Sequence, residues 1–290
     1  IADLTIPIGA TSATTSFTPS ADNLYETASS ESAVIAISSV SGGSASESGT
    51  QVVTLAIVES KSPPTVSIAS SASSVGEDAS DLTLTATLSH ESYADVTVAI
   101  DGTGGTGTEG TDFATVSDIT ISAGSLNNTT AFNPTPDDFY DALSAETGVI
   151  AISGVSGGSA GSSNQSVSIS ITDAESAPSV SMDEGALALN EDSVNGKIYA
   201  DLSGKTFEDV IVVIDGTVGT ATEGVDFETV SNITISAGSL RGIVPFVPIE
   251  DYTRDDNDAG SSPDYEIARM SISSRSGGGA TINTSDRAAI

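Results

Sequence analysis

Acidic side chains gather at the ends of short apolar stretches, and the arrangement recurs along the chain. Residues 64–177 carry Glu77-Asp78, Asp101, Glu109 with Asp112, Asp137-Asp138 with Asp141 and Glu146, and Asp173 with Glu175. Residues 178–290 carry Glu191-Asp192, Asp215, Glu223 with Asp226, Glu250-Asp251 with Asp255, and Glu266. Residues 1–63 keep Asp22, Glu26, Glu31 and Glu59. Carboxylates packed together without a counter-ion repel one another, and a hard cation removes that cost. Calcium accepts roughly six to eight oxygens in irregular geometry, including bidentate carboxylates from loops, whereas magnesium holds to a strict octahedron and keeps its waters. Zinc and copper would want His or Cys, and the chain has one His and no Cys.

The pattern therefore points to Ca²⁺. The candidate ligands are Glu77, Asp112, Asp137, Asp138, Asp141, Glu146, Asp173 and Glu175 in the middle stretch, and Glu191, Asp226, Glu250, Asp251, Asp255 and Glu266 in the last. A single acid such as Glu109 reads equally as a solvated loop residue. Asp255-Asp256-Asn257-Asp258-Ala259-Gly260 lacks the spacing and terminal Glu of an EF-hand loop and reads as an insertion in the last metal loop.

The elements that must position these acids are strands. Apolar residues alternate with Thr, Ser and Asp: Leu82, Leu84, Ala86 and Leu88; Val96, Val98 and Ile100; Ile119 and Ile121; Val167, Ile169 and Ile171. Ile198, Ala200 and Leu202, then Val210, Val212 and Ile214, repeat the pattern, and Val53, Leu55 and Ile57 show it near the start. A period of two with one wet face predicts antiparallel sandwiches of about seven strands each. The glycine-rich stretch 102–110 reads as a break between strands, and residues 137–146 read as a loop. No segment shows a helical period.

Internal repetition fixes the expected organisation. Residues 112–126 read DFATVSDITISAGSL and residues 226–240 read DFETVSNITISAGSL, 114 positions apart. Residues 144–159, SAETGVIAISGVSGGS, echo residues 29–44, SSESAVIAISSVSGGS. The expected units are 1–63, the C-terminal half of one repeat; 64–177, a complete repeat; and 178–290, a repeat that stops before its terminal acids. Incomplete ends suit either a longer array or completion by a neighbouring copy through strand donation.

These residues resemble the Calx-beta family. The matching features are Val75-Gly76-Glu77-Asp78, Gly105-Thr106-Gly107 leading to Asp112-Phe113, Pro136-Asp137-Asp138 with Glu146, and Thr172-Asp173. In the last unit they are Asn190-Glu191-Asp192, Gly219-Thr220-Ala221 leading to Asp226-Phe227, and Glu250-Asp251 with Glu266. The resemblance implies tandem immunoglobulin-like β-sandwiches of the Calx-beta type that bind Ca²⁺ at one tip through those acids. It also implies a large bacterial secreted or surface protein of the adhesin kind. Glu250 departs from the Asp137 of the middle unit, and Asp22-Asn23 replaces the Asp pair in the first.

Forty acidic residues against eight basic ones give a formal net charge of −32, which disfavours nucleic-acid phosphates and anionic membranes as partners. No apolar run approaches the roughly 20 residues of a membrane span. His90 reads as an exposed turn residue, and no Ser or Cys is marked as its catalytic partner. Tyr25 and Tyr140 align and read as loop-packing aromatics. The function expected is a non-enzymatic, calcium-rigidified extension module of an extracellular protein, whose partners are calcium, neighbouring repeats and other copies of the chain. A self-assembling filament subunit and a non-catalytic region of an extracellular hydrolase are the alternatives.

Overall fold

Branched apolar residues alternating with Thr and Ser favour pleated, half-buried strands. The computed structural model describes residues 1–26, 30–142, 145–182, 189–192, 196–250, 266–283 and 287–289; these are all-β, with no helix among them. Near the start, β1 (Ser30–Ala36) and β2 (Val52–Val58) form an antiparallel hairpin that pairs Ala36 with Val52. Its apolar residues stay partly or fully exposed. Val53, expected on a core face, is 54% exposed, because β1 and β2 form a two-stranded sheet of their own.

The next ten strands are β3 (Thr65–Ser70), β4 (Ser74–Gly76), β5 (Leu82–Leu88), β6 (Val96–Gly105), β7 (Ile119–Ile121), β8 (Asn127–Phe132), β9 (Phe139–Tyr140), β10 (Glu146–Ser156), β11 (Ser159–Ala160) and β12 (Ser166–Thr172). They build two sheets in the orders β4-β12-β10-β6-β7 and β11-β3-β5-β8, with β9 in neither. The chain leaves β3 in one sheet and joins the other as β4, parallel to β12. The remaining strands are β13 (Ser179–Met182), β14 (Gly196–Leu202), β15 (Lys205–Thr206), β16 (Val210–Gly219), β17 (Ile233–Ile235), β18 (Arg241–Phe246), β19 (Ala268–Ser276), β20 (Thr281–Ile282) and β21 (Arg287–Ala289). Their sheets run β18-β14-β13-β20 and β17-β16-β19-β21.

Each pair of sheets closes on its own apolar cluster. One contains Val66, Leu84, Ala86, Val98, Ile121, Phe132, Ile150 and Ile169; the other contains Val180, Ile198, Ala200, Val212, Ile235 and Met270. The predicted alternation thus puts the expected residues inside. Without tryptophan, phenylalanine supplies the bulk. Phe113 stacks on Phe132 with centroids 4.9 Å apart, and Phe227 on Phe246 at 5.1 Å. Phe113 and Phe227 each directly follow a candidate acid, so core packing holds Asp112 and Asp226 at the rim.

Three local expectations are corrected. The break expected over residues 102–110 is partly strand, since β6 continues to Gly105 opposite β10 through a register shift. The glycines serve close approach rather than interruption. Gly105 has φ +96°, and a β-carbon there would overlap the carbonyl oxygen of Thr147. Gly219 makes the same approach to Ile267. The loop expected over residues 137–146 contains β9, and β10 begins at Glu146. His90 is half-buried rather than exposed: its ring bonds Ser89 Oγ at 3.0 Å and the Ser62 carbonyl at 2.9 Å.

Gly105→Ala combines left-handed backbone with steric overlap and is expected to cost at least about 2 kcal/mol in chemical denaturation. Gly104→Ala is the control, because its β-carbon would meet Val149 at an ordinary 3.9 Å and should cost less than half as much.

Candidate metal centre

Three connections at one end of the two sheets built from β3 to β12 bring carboxylates together. Glu77 follows β4 directly, and its N–H donates to the Thr172 carbonyl at 3.0 Å, which ties it beside the end of β12. The backbone at that edge is fixed one residue earlier as well, because Gly76 pairs in register with Thr172. Asp173 and Glu175 follow β12, and Asp137 precedes β9. Oxygens of Glu77, Asp137 and Glu175 lie within 4.8 Å of one another.

Backbone hydrogen bonds hold the three chains in place. Asp173 is the bracket: Oδ2 accepts the Asp141 N–H at 2.6 Å and Oδ1 accepts the Glu175 N–H at 2.8 Å. Asp137 Oδ1 accepts the Phe139 N–H at 2.7 Å, and Glu77 Oε1 accepts the Ala174 N–H at 3.2 Å. Asp112 Oδ2 accepts the Thr108 N–H at 2.6 Å, closing the turn before Phe113.

The cluster is electrostatically strained. Burial, the Glu175 carboxyl and the charge of Asp137 push Glu77 up to about 7 against the pull of the Ala174 N–H. Glu146 is also raised, first by burial and then by the charges of Asp112, Asp141 and Asp137. Glu175 Oε2 is buried without a hydrogen-bond partner. A carboxylate oxygen without a hydrogen-bond partner beside two other carboxylates carries a desolvation and repulsion cost. A cation relieves all three effects. The donor set is oxygen only, and calcium–oxygen distances of about 2.3–2.6 Å allow ligand pairs up to about 5 Å apart, so the spacing fits a hard divalent ion.

The predicted residues divide as follows. Glu77, Asp137 and Glu175 form the trio; Asp173 braces it; Asp112, Asp141 and Glu146 act on it or on one another through hydrogen bonds or charge. Asp138 is exposed and stands outside the trio. In the last stretch, Glu191 and Glu250 are exposed, and Glu266 is half-buried. Asp226 repeats the Asp112 turn by accepting the Thr222 N–H at 2.6 Å. Asp251 and Asp255 lie outside the described residues. The bracket also recurs in residues 1–63, where the acidic pattern is thinner: Glu59 accepts the N–H groups of Lys61 and Glu26, which lower its pKa.

The sequence pattern does not reveal what the loop does next. Two residues beyond Asp137, β9 pairs in parallel with β15, joining Phe139 to Lys205 and Tyr140 to Thr206. The same contact occurs earlier, where Tyr25 bridges Ser92. Ser92 and Thr206 are the buried polar residues of the described chain. The aligned tyrosines Tyr25 and Tyr140 were the available signal.

No family model matches the chain, and no curated protein matches it. Among solved structures it is similar to calcium binding domain CBD12 of CALX1.1, at 15% identity over 70% of this chain and 77% of that one, with a TM-score of 0.33. It is also similar to CBD12 from CALX1.2, at 16% identity, the same coverages and a TM-score of 0.32. The apo-form Calx CBD1 domain matches at 16% identity over 38% of this chain and 99% of that one, with a TM-score of 0.34.

The raised Glu77 pKa gives a signed pH effect. Between the ordinary carboxylate range and about 7, the folded chain binds the extra proton, so without metal this group's contribution to stability falls as pH rises through that window. Glu77→Gln should remove it. Thermal melts in EDTA at pH 5 and pH 8 are expected to show the substitution raising the melting temperature more at pH 8 than at pH 5.

Proposed function

We propose that residues 1–63, 64–177 and 178–290 are successive Calx-beta-type repeats, the first a C-terminal half and the last lacking its terminal acids. They would bind calcium and act as stiff extension modules of a secreted surface protein, an adhesin or an extracellular fibre. The observation that carries this reading is the convergence of Glu77, Asp137 and Glu175 from three separate connections. The negative charge of the chain and the spacing of the acids support it.

The mechanism is electrostatic. Glu77, Asp137 and Glu175 would hold the ion, with Asp112, Asp138, Asp141, Glu146 and Asp173 as further candidate ligands or braces. A bound Ca²⁺ supplies positive charge that cancels their repulsion. The chain's own part is to fix the loop: Asp173 clamps Asp141, and Asp137 caps Phe139. Because β9 lies between those clamps and pairs with β15, stiffening the loop stiffens the contact with residues 205–207. Pro63-Pro64 and Pro178 limit the backbone between units. In the last unit, Glu191, Asp226, Glu250, Asp251, Asp255 and Glu266 are the corresponding candidates.

An ion that binds only the folded chain adds about 2.7 kcal/mol per site at a hundredfold excess over Kd. Calorimetry with Ca²⁺ is expected to show saturable binding and a higher melting temperature, with a weaker response to Mg²⁺. The triple substitution Glu77→Gln, Asp137→Asn, Glu175→Gln should abolish the site in the middle unit. A melting temperature indifferent to Ca²⁺ would reject the reading.

A further inference from the structure

The two contacts between successive segments share a backbone pattern but not a lock. At both, a tyrosine pairs with the next segment: Tyr93 N–H donates to the Tyr25 carbonyl at 2.9 Å, and Phe207 N–H to the Tyr140 carbonyl at 3.1 Å. A glycine N–H then closes the back of each contact, Gly124 to the Ser92 carbonyl and Gly238 to the Thr206 carbonyl.

The side chains differ. At the second contact, Lys205 Nζ sits 5.3 Å from the Phe139 ring centroid. A β-carbon on Gly238 would come within 3.2 Å of the Phe139 ring, and one on Gly279 within 2.6 Å of Tyr140 Cε1, so both aromatics lie directly on glycine backbone. Gly279 has φ +55° and belongs to a run of three glycines, where the middle segment has only Gly157-Gly158. At the first contact, Leu24 stands in the place of Phe139 and Glu91 in the place of Lys205, and nothing lies within 4 Å of a β-carbon on Gly124. Charge reinforces the contrast. Lys205 meets a loop bearing Asp137, Asp138 and Asp141, whereas Glu91 meets one bearing Asp22 and Glu26. The residue facing the acidic loop therefore carries opposite charge at the two contacts. The first retains the backbone pairing and the His90 bond to the Ser62 carbonyl.

We propose that Lys205, Gly238 and Gly279 form a socket for the Phe139-Tyr140 strand of the preceding segment. This socket makes the second joint an elbow that holds with no cation bound, while the first joint is a hinge. The partner surface is therefore specific: it takes an aromatic pair on an acidic loop and discriminates against a Leu-Tyr pair. Aromatic packing on bare backbone and a cation over a ring face supply this lock independently of any metal.

The absence of cysteine allows unique spin labelling. Thr120→Cys with Thr234→Cys spans the second joint, and Thr54→Cys with Thr120→Cys spans the first; all three positions are exposed. Dipolar distance measurements in EDTA should give one narrow distance across the second joint and a broad spread across the first. Phe139→Leu with Lys205→Glu, which transplants the residues of the first joint, should abolish the narrow peak. Lys205→Glu alone, on a half-exposed side chain away from the core, should broaden it in a chain that still melts cooperatively. Equal breadth at both joints, or a narrow peak that survives the double substitution, would overturn the proposal. Because the measurement is made in EDTA, its outcome is separate from that of calcium binding.

Discussion

Mutual repulsion among carboxylates is the constraint that the end of the middle sandwich is built around. Glu77, Asp137 and Glu175 arrive on different connections; the Glu77 and Asp137 carboxylates accept backbone N–H groups, while Glu175 is tied through its own N–H to Asp173. Those bonds stabilise charge locally, but they do not cancel the repulsion between the groups. The rise in the Glu77 pKa and the unpartnered Glu175 oxygen are two signs of the same imbalance. Like charges fixed this close raise the cost of ionising each group, and a positive ion between them would lower it.

The sandwich supplies the force that keeps them there. The stacked Phe113 and Phe132 rings seat Asp112 at the rim, and the crossing of the chain from β3 to β4 sets Glu77 beside the end of β12. Asp173 then links the β12 end to the connection after β9. Burial of the aromatic and branched core offsets the electrostatic cost at the tip. The same loop makes contact with the following segment through β9, so one loop carries both the acidic tip and the joint.

Much of this was legible in the sequence. Alternation at Leu84, Ala86 and Leu88, and again at Ile198, Ala200 and Leu202, identifies buried faces because a strand has a period of two. The near-identity of residues 112–126 and 226–240 anticipates equivalent turns, and the matching Asp112 and Asp226 hydrogen bonds bear that out. Other features were hidden for physical reasons. A two-residue strand such as β9 has no period to detect, and its partner lies 66 positions away at Lys205. Gly102, Gly104 and Gly105 look like a loop in composition, yet they permit a close crossing of strands. The choice between Asp137 and Asp138 depends on which side of the backbone faces Glu77, which neighbouring identical residues cannot reveal.

The most direct measurement is a crystal structure of the whole chain grown in calcium, with a terbium-substituted crystal for anomalous scattering. The expected result is an ion bounded by oxygens of Glu77, Asp137 and Glu175, at about 2.3–2.6 Å for calcium. Saturating cation with no anomalous peak among those three side chains would contradict a metal centre at this tip.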